Sequence, residues 1–176
     1  MDAAFYSFFQ FVGGAAGVAL AAWVLPVVSH PTVRYVVTVP GEAGRMVALV
    51  AEAVISGGLM LGVLITSNHP RLTRFTGWAA GFLLLVYIAF EAPLSGMSIN
   101  PARTVGSAAW ANIWTGLWIY FAAPSGGMLI AAEAYVRWKG PRAVFCAKLN
   151  HHWAARCIFH CRFDELRTTA RTGGSD

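Results

Sequence analysis

Four runs of apolar residues, each long enough to cross a bilayer as a helix, decide what this chain can fold into. A hydrocarbon core about 30 Å thick needs about 20 residues of helix. The runs fall at about 3–28, 45–67, 75–93 and 113–137. Composition agrees: 57% of the 176 residues are hydrophobic and only 12% charged, where a soluble domain carries about 25% charged residues. The expected fold is an all-α, multi-pass membrane protein. The first three runs each contain a Gly-x-x-x-Gly pair (Gly13/Gly17, Gly58/Gly62, Gly77/Gly81). Such pairs let helix backbones approach closely in lipid and predict tight bundle packing. No nucleophile–base pair and no cofactor loop stands out, so the reading is of a non-enzyme.

Charge gives the orientation. Of thirteen Lys and Arg residues, eight lie from Arg137 onward, and the short 68–74 connection carries Arg71 and Arg74. Lys and Arg concentrate on cytoplasmic flanks. Residues 1–140 therefore read as the transmembrane region of a plasma- or inner-membrane protein, and 141–176 as a basic cytoplasmic tail. The tail's charge is read as a membrane flank, with no nucleic-acid partner. The segment 94–112 then falls on the outer side. It is too polar at its start to span, and too apolar at its end to be an ordinary loop.

That segment carries the chemistry. Ser95-Gly96-Met97-Ser98-Ile99-Asn100-Pro101-Ala102-Arg103-Thr104 begins as a polar loop and turns helical. Asn100 is a good N-cap, and Pro101 suits the first helical position, where its missing N–H costs nothing. The helix predicted over 100–110 is too short to cross a bilayer and reads as a re-entrant half-helix. Its irregular lead-in is tolerated at membrane depth only when buried or lining water. Its N-terminus carries partial positive charge, Arg103 adds a full one, and the Asn100 amide brings side-chain donors. Residues 96–99 can offer backbone carbonyls. A narrow path lined this way passes neutral hydrogen-bonding molecules and repels cations. Glu52, inside the second apolar run, is costly in a span unless hydrogen-bonded.

This loop resembles the second signature loop of the aquaporin (major intrinsic protein) family. Gln10-Phe-Val-Gly-Gly-Ala-Ala-Gly17 is similar to that family's third span, and Glu52, Pro93 and Pro124 match positions of its later spans. The resemblance covers roughly residues 5–137. It implies an aquaporin-like helical bundle acting as a passive channel for water or other small neutral solutes, in a lipid bilayer, as a homo-oligomer (tetramers in the family). It gives Asn100, Pro101, Ala102 and Arg103 filter roles, places Met97 and Ile88 at the constriction, and makes Glu52 a brace for the loop. The chain is expected to start at the equivalent of the third span, lacking the first two spans and the first Asn-Pro-Ala half-helix. Ile88 stands where the strict water channels carry histidine, and Met97, three residues before Asn100, is apolar as well, which removes hydrogen-bond partners from the constriction and implies a pore less strict for water. Thr104 stands where the glycerol branch has aspartate, and Tyr120-Phe121 keeps the aromatic pair of the water branch.

The tail offers a rival function. Cys146, His151, His152, Cys157, His160 and Cys161 are soft ligands within sixteen residues, the chemistry of a zinc or other transition-metal site. On that reading the chain is a membrane-anchored metal-binding or regulatory module with an incomplete pore. The channel itself requires no cofactor.

Overall fold

The computed structural model describes residues 2–147 and 161–165, and among them every regular element is helical. The α-helices are α1 Asp2–Val24, α2 Arg45–Ser67, α3 Thr76–Phe90, α4 Ala92–Ser95, α5 Pro101–Ala111 and α6 Ile119–Lys139. Among the described residues, three helical stretches are long and apolar enough to cross a membrane: Ala4–Val24, Arg45–Ser67 and Thr73–Phe90. Phe5, Phe8, Trp23, Trp78, Phe82 and Phe90 all stand exposed. Such a surface would associate in water but is ordinary against lipid. The chain is an all-α integral membrane protein.

Element boundaries depart from the apolar runs where backbone chemistry intervenes. The run at 3–28 is helical only to Val24, because Pro26 opens a 3-10 turn over Pro26–Ser29. The run at 75–93 breaks after Phe90 and restarts as the four-residue α4, which Gly96 closes in the left-handed region at φ 82°. The run at 113–137 becomes helical only at Ile119 and continues to Lys139. Asn112 (φ 52°) terminates α5 with a left-handed cap, and Gly116 (φ 68°) turns the chain again before α6. Asparagine and glycine tolerate that region better than other residues do.

The chain divides into two compact units, Met1–Ile55 with Tyr87–Gly126 and Ser56–Val86 with Gly127–Asp176. In the first, α1 packs along α5. A small core joins the first half of α2 to the start of α6 through Ala48, Ile119, Tyr120 and Ala123, with Leu49 and Ala53 against it. The glycines that bring backbones together are not the paired ones of the first and third runs. A Cβ on Gly13, Gly17, Gly77 or Gly81 would meet nothing within 4 Å, whereas one on Gly14 would lie 2.8 Å from the Ala102 carbonyl oxygen.

In the second unit, Gly57 faces the Gly127 carbonyl and Gly62 faces Leu83. At the end of α2, Asn68 grips the tail. Its Oδ1 accepts the backbone N–H groups of Phe145 (2.6 Å) and Cys146 (2.9 Å), its Nδ2 donates to Leu64 O, and Ser67 Oγ donates to Cys146 O at 3.0 Å. The Arg162 N–H then donates to Phe145 O. Asn68→Ala removes the acceptor for two amides at once. Hydrogen exchange at Phe145 and Cys146 is expected to speed by about tenfold or more, at roughly 1 kcal/mol per lost bond. Unchanged exchange at both amides would mean that the tail is held by something other than Asn68.

Candidate functional site

The site lies in the first unit and is built on the lead-in to α5. Its backbone is unusual. Met97 (φ 48°) and Ile99 (φ 58°) both occupy the left-handed region beside Gly96. A β-branched residue there is disfavoured, at a cost on the order of 1 kcal/mol or more, so something must hold it. Glu52, on α2 and 0% exposed, supplies the restraint. Its Oε1 accepts from the Ser98 N–H at 2.6 Å and from Ser95 Oγ at 2.8 Å, and its Oε2 accepts from the Ile99 N–H at 2.9 Å. Two successive amides converging on one carboxylate form an anion-binding concavity.

The same geometry aims the carbonyls. In a planar trans peptide the N–H and the C=O point in opposite directions, and the described chain has no cis bond. With the N–H groups of Ser98 and Ile99 turned toward Glu52, the carbonyls of Met97 and Ser98 point away from it. Tyr120, buried in the core, steadies the start of the loop by donating its hydroxyl to Ser95 O at 2.6 Å. Ser98 Oγ donates to Asn100 O at 3.0 Å and pairs with Thr104 Oγ1. The loop therefore has partners on both sides.

Asn100 has extended backbone angles (φ −136°, ψ 112°), and its Oδ1 accepts the Ala102 N–H at 2.9 Å. Pro101 occupies the first helical position. The cap uses the acceptor end of the amide, which leaves both side-chain N–H donors, and Asn100 is exposed. Arg103, on the first turn, donates from Nη1 to Thr38 Oγ1 at 2.5 Å. Among the described residues it makes no ion pair. Its charge adds to the positive end of α5, with the buried Glu52 carboxylate acting on it through space and no carboxylate bonded to it.

The remaining residues singled out by sequence are distributed unevenly. Ala102 is buried against α1, Met97 is 7% exposed, and Ile88 stands 60% exposed on α3. Cys146 is buried and Cys161 half-buried, while His151, His152, Cys157 and His160 lie outside the described residues. Among the described residues no group of three or more His, Cys, Asp or Glu side chains could hold a metal. Sequence reasoning missed Thr38, Ser95 and the Tyr120 hydroxyl. Thr38 and Tyr120 act from far along the chain with no local pattern to mark them, and Ser95, at the start of the loop, reaches Glu52 on a different helix. It also passed over Glu91, a carboxylate buried between α3 and α4.

The site is thus an eleven-residue helix capped by Asn100 with Pro101 at its first position, entered through a loop bonded to the Glu52 carboxylate and packed against α1. Comparison with known proteins gives the family. The family model for Major intrinsic protein matches residues 1–135. The chain belongs to the major intrinsic protein family. Aquaporin NIP2-2 from Zea mays is 36% identical over 132 residues, 74% of this chain and 43% of that protein. Aquaporin NIP2-3 from Zea mays is 34% identical over 145 residues, 82% of this chain and 46% of that protein. Aquaporin NIP6-1 from Arabidopsis thaliana is 36% identical over 122 residues, 69% of this chain and 40% of that protein. This major intrinsic protein chain thus spans less than half the length of these relatives. The match takes in α1 to α5 and most of α6, and ends before the basic tail.

Proposed function

We propose that the chain contributes the outer half of a filter in a passive channel for water or other small neutral solutes. The observation that carries this reading is the Asn100-capped helix α5. Eleven residues make about 16 Å of helix, roughly half of a 30 Å hydrocarbon core. Such a helix reaches mid-membrane with its positive end foremost, as broken helices do around transported solutes. In this reading the Asn100 amide donates to the solute at the inner end of the half-helix. The Met97 and Ser98 carbonyls accept along the approach. Arg103 forms the cationic side of a constriction that Ile88 and Met97 complete, and Glu52 braces the loop. Pro101 and Ala102 set the helix start, Ala102 against α1. The aquaporin names of the relatives support a conduit for water or a small solute.

The reading involves no catalysis and no cofactor. The basic tail is assigned to the cytoplasmic side by its Lys and Arg content, and α5 accordingly enters from outside. Assembly as a homo-oligomer belongs to the same proposal.

Stopped-flow shrinkage of proteoliposomes tests it. The wild-type chain is expected to raise osmotic permeability above that of empty vesicles. Asn100→Asp keeps the cap acceptor for Ala102 but removes the side-chain donors and adds a negative charge. Its water flux is expected to fall by about tenfold, the loss of a hydrogen bond worth roughly 1.4 kcal/mol. Wild-type permeability equal to that of empty vesicles, or flux indifferent to Asn100→Asp, would remove the channel reading.

A further inference from the structure

The segment that follows the 3-10 turn Arg34–Val36 is threaded against the filter loop. The Gly41 N–H donates to Leu94 O at 2.9 Å, and a Cβ on Gly41 would fall 2.0 Å from Pro93 O. A Cβ on Gly96 would meet Thr38 Cγ2 at 2.9 Å and Val39 O at 3.2 Å. Pro40 presses on Gly116, whose added Cβ would lie 2.8 Å from the proline ring. Residues 38–41 thus lie against residues 93–96 with no room between the backbones. Thr38, 3% exposed, directs its hydroxyl to the Arg103 guanidinium.

We propose that Thr38 is a positioning residue for the filter, its hydroxyl fixing the Arg103 guanidinium at the constriction while leaving the charge intact. The inference rests on the channel reading for its functional consequence and on the structure for its geometry. Arg103 could have been held by a carboxylate. A carboxylate partner would cancel the charge that repels cations, and it would bind the guanidinium in a bidentate fork that uses up donors. A single neutral hydroxyl takes one of the five guanidinium N–H donors and leaves the others for solute. Because the surrounding segment is pinned by close backbone contacts, the hydroxyl is a fixed point. The width and polarity of the constriction beside Arg103 are then set by a residue 65 positions away in sequence, and solute discrimination depends on it.

Two measurements on the full chain in proteoliposomes test this, with Thr38→Val, Thr38→Ala and Thr38→Ser. The first is the rate at which phenylglyoxal modifies Arg103, read site by site by mass spectrometry, with exposed Arg74 and Arg137 as internal references. Freed from its partner, Arg103 is expected to react about five- to tenfold faster in Thr38→Val, the equivalent of one charge-assisted hydrogen bond, and at the wild-type rate in Thr38→Ser. Thr38→Ala repeats the test without the second methyl of valine, in case valine is not accommodated. The second is the ratio of water to glycerol permeability, expected to fall several-fold in Thr38→Val and to be restored in Thr38→Ser. Arg103 rates within twofold of wild type in both Thr38→Val and Thr38→Ala, or a serine variant that behaves like valine, overturn the proposal. Vesicles that conduct nothing at all overturn the channel reading instead, and the phenylglyoxal rates still decide the role of Thr38.

Discussion

Glu52→Leu is expected to unfold the loop that leads into α5 and to produce the largest loss of stability of any single substitution in the chain. Leucine fits the volume and suits an apolar helix, so hydropathy alone would score the change as favourable. The structure says otherwise. Two backbone N–H groups and the Ser95 hydroxyl converge on the Glu52 carboxylate in a fully buried position. Each buried donor left without a partner costs roughly 1–3 kcal/mol, and the left-handed backbone at Met97 and Ile99 loses the restraint that holds it. A total of about 4 kcal/mol follows from these terms, enough to remove most of a membrane domain's margin. Thermal unfolding in detergent should show a fall in Tm of many degrees, and amide exchange at Ser98 and Ile99 should lose its protection. Glu52→Gln keeps one acceptor oxygen but turns an N–H₂ group toward an amide donor. An intermediate loss is expected, smaller than that of leucine. Equal stability for wild type and Glu52→Leu would mean that the loop is held without its carboxylate.

The second large effect is steric. Where α1 crosses α5, a Cβ on Gly14 would stand 2.8 Å from Ala102 O, and one on Gly106 would stand 2.8 Å from the Gly14 carbonyl carbon. The obstructing atoms are backbone, which cannot swing aside. Gly14→Val and Gly106→Val are each expected to separate the two helices and to cost about 3 kcal/mol, as over-packing of tight cores does. The same helix supplies its own control. Gly13→Ala and Gly17→Ala face open space, so they should be neutral or stabilise by up to about 1 kcal/mol, the helix-propensity gain of alanine over glycine. Melting temperatures in detergent for the four variants check this. A ranking in which Gly13 and Gly17 are the sensitive positions would contradict the α1–α5 contact. The Trp110 indole N–H, which donates to Ala15 O at 2.9 Å, reports the same contact, and its fluorescence should shift red in the disruptive variants alone.

These two predictions also mark where the sequence was legible. Asn100 and Pro101 announce a helix start because capping is local: the side chain that satisfies the Ala102 amide lies two residues away. Three of the four apolar runs were legible as spans because spanning length is a one-dimensional property, and α2 has the boundaries its run predicts, whereas α6, at the fourth run, is not among the helices long and apolar enough to cross a membrane. Helix ends were less so. The first run continues past Val24 in hydropathy, yet Pro26 ends the regular helix. The last run begins before Ile119, yet Asn112 and Gly116 keep its start out of helix. Hydropathy registers burial in lipid and is silent on backbone conformation. Which glycines make contact was also hidden. Gly-x-x-x-Gly marks a face, but the α1 contact uses Gly14, about 100° round the helix from Gly13. Its partner is the short helix α5, some ninety residues on. Glu52 could be recognised as a buried acid, while its three donors could not be named from a pattern. Thr38 was invisible for the same reason, since a lone threonine in a loop carries no periodic or motif signal.

In the proposed channel, α5 enters the bilayer from one side and presents its Asn100 end, deep in the membrane, to water. Spin labels placed one at a time at positions 97–103 and 108–112, in a chain whose own cysteines are serine, measure this through collisions with oxygen and with a water-soluble nickel chelate. Positions 108–112 are expected to report headgroup depth, whereas labels around Asn100 collide with the nickel chelate although comparison labels on the lipid-facing side of α1 report mid-bilayer depth. A single shallow depth for all of these positions, with no aqueous access at depth near Asn100, would contradict it.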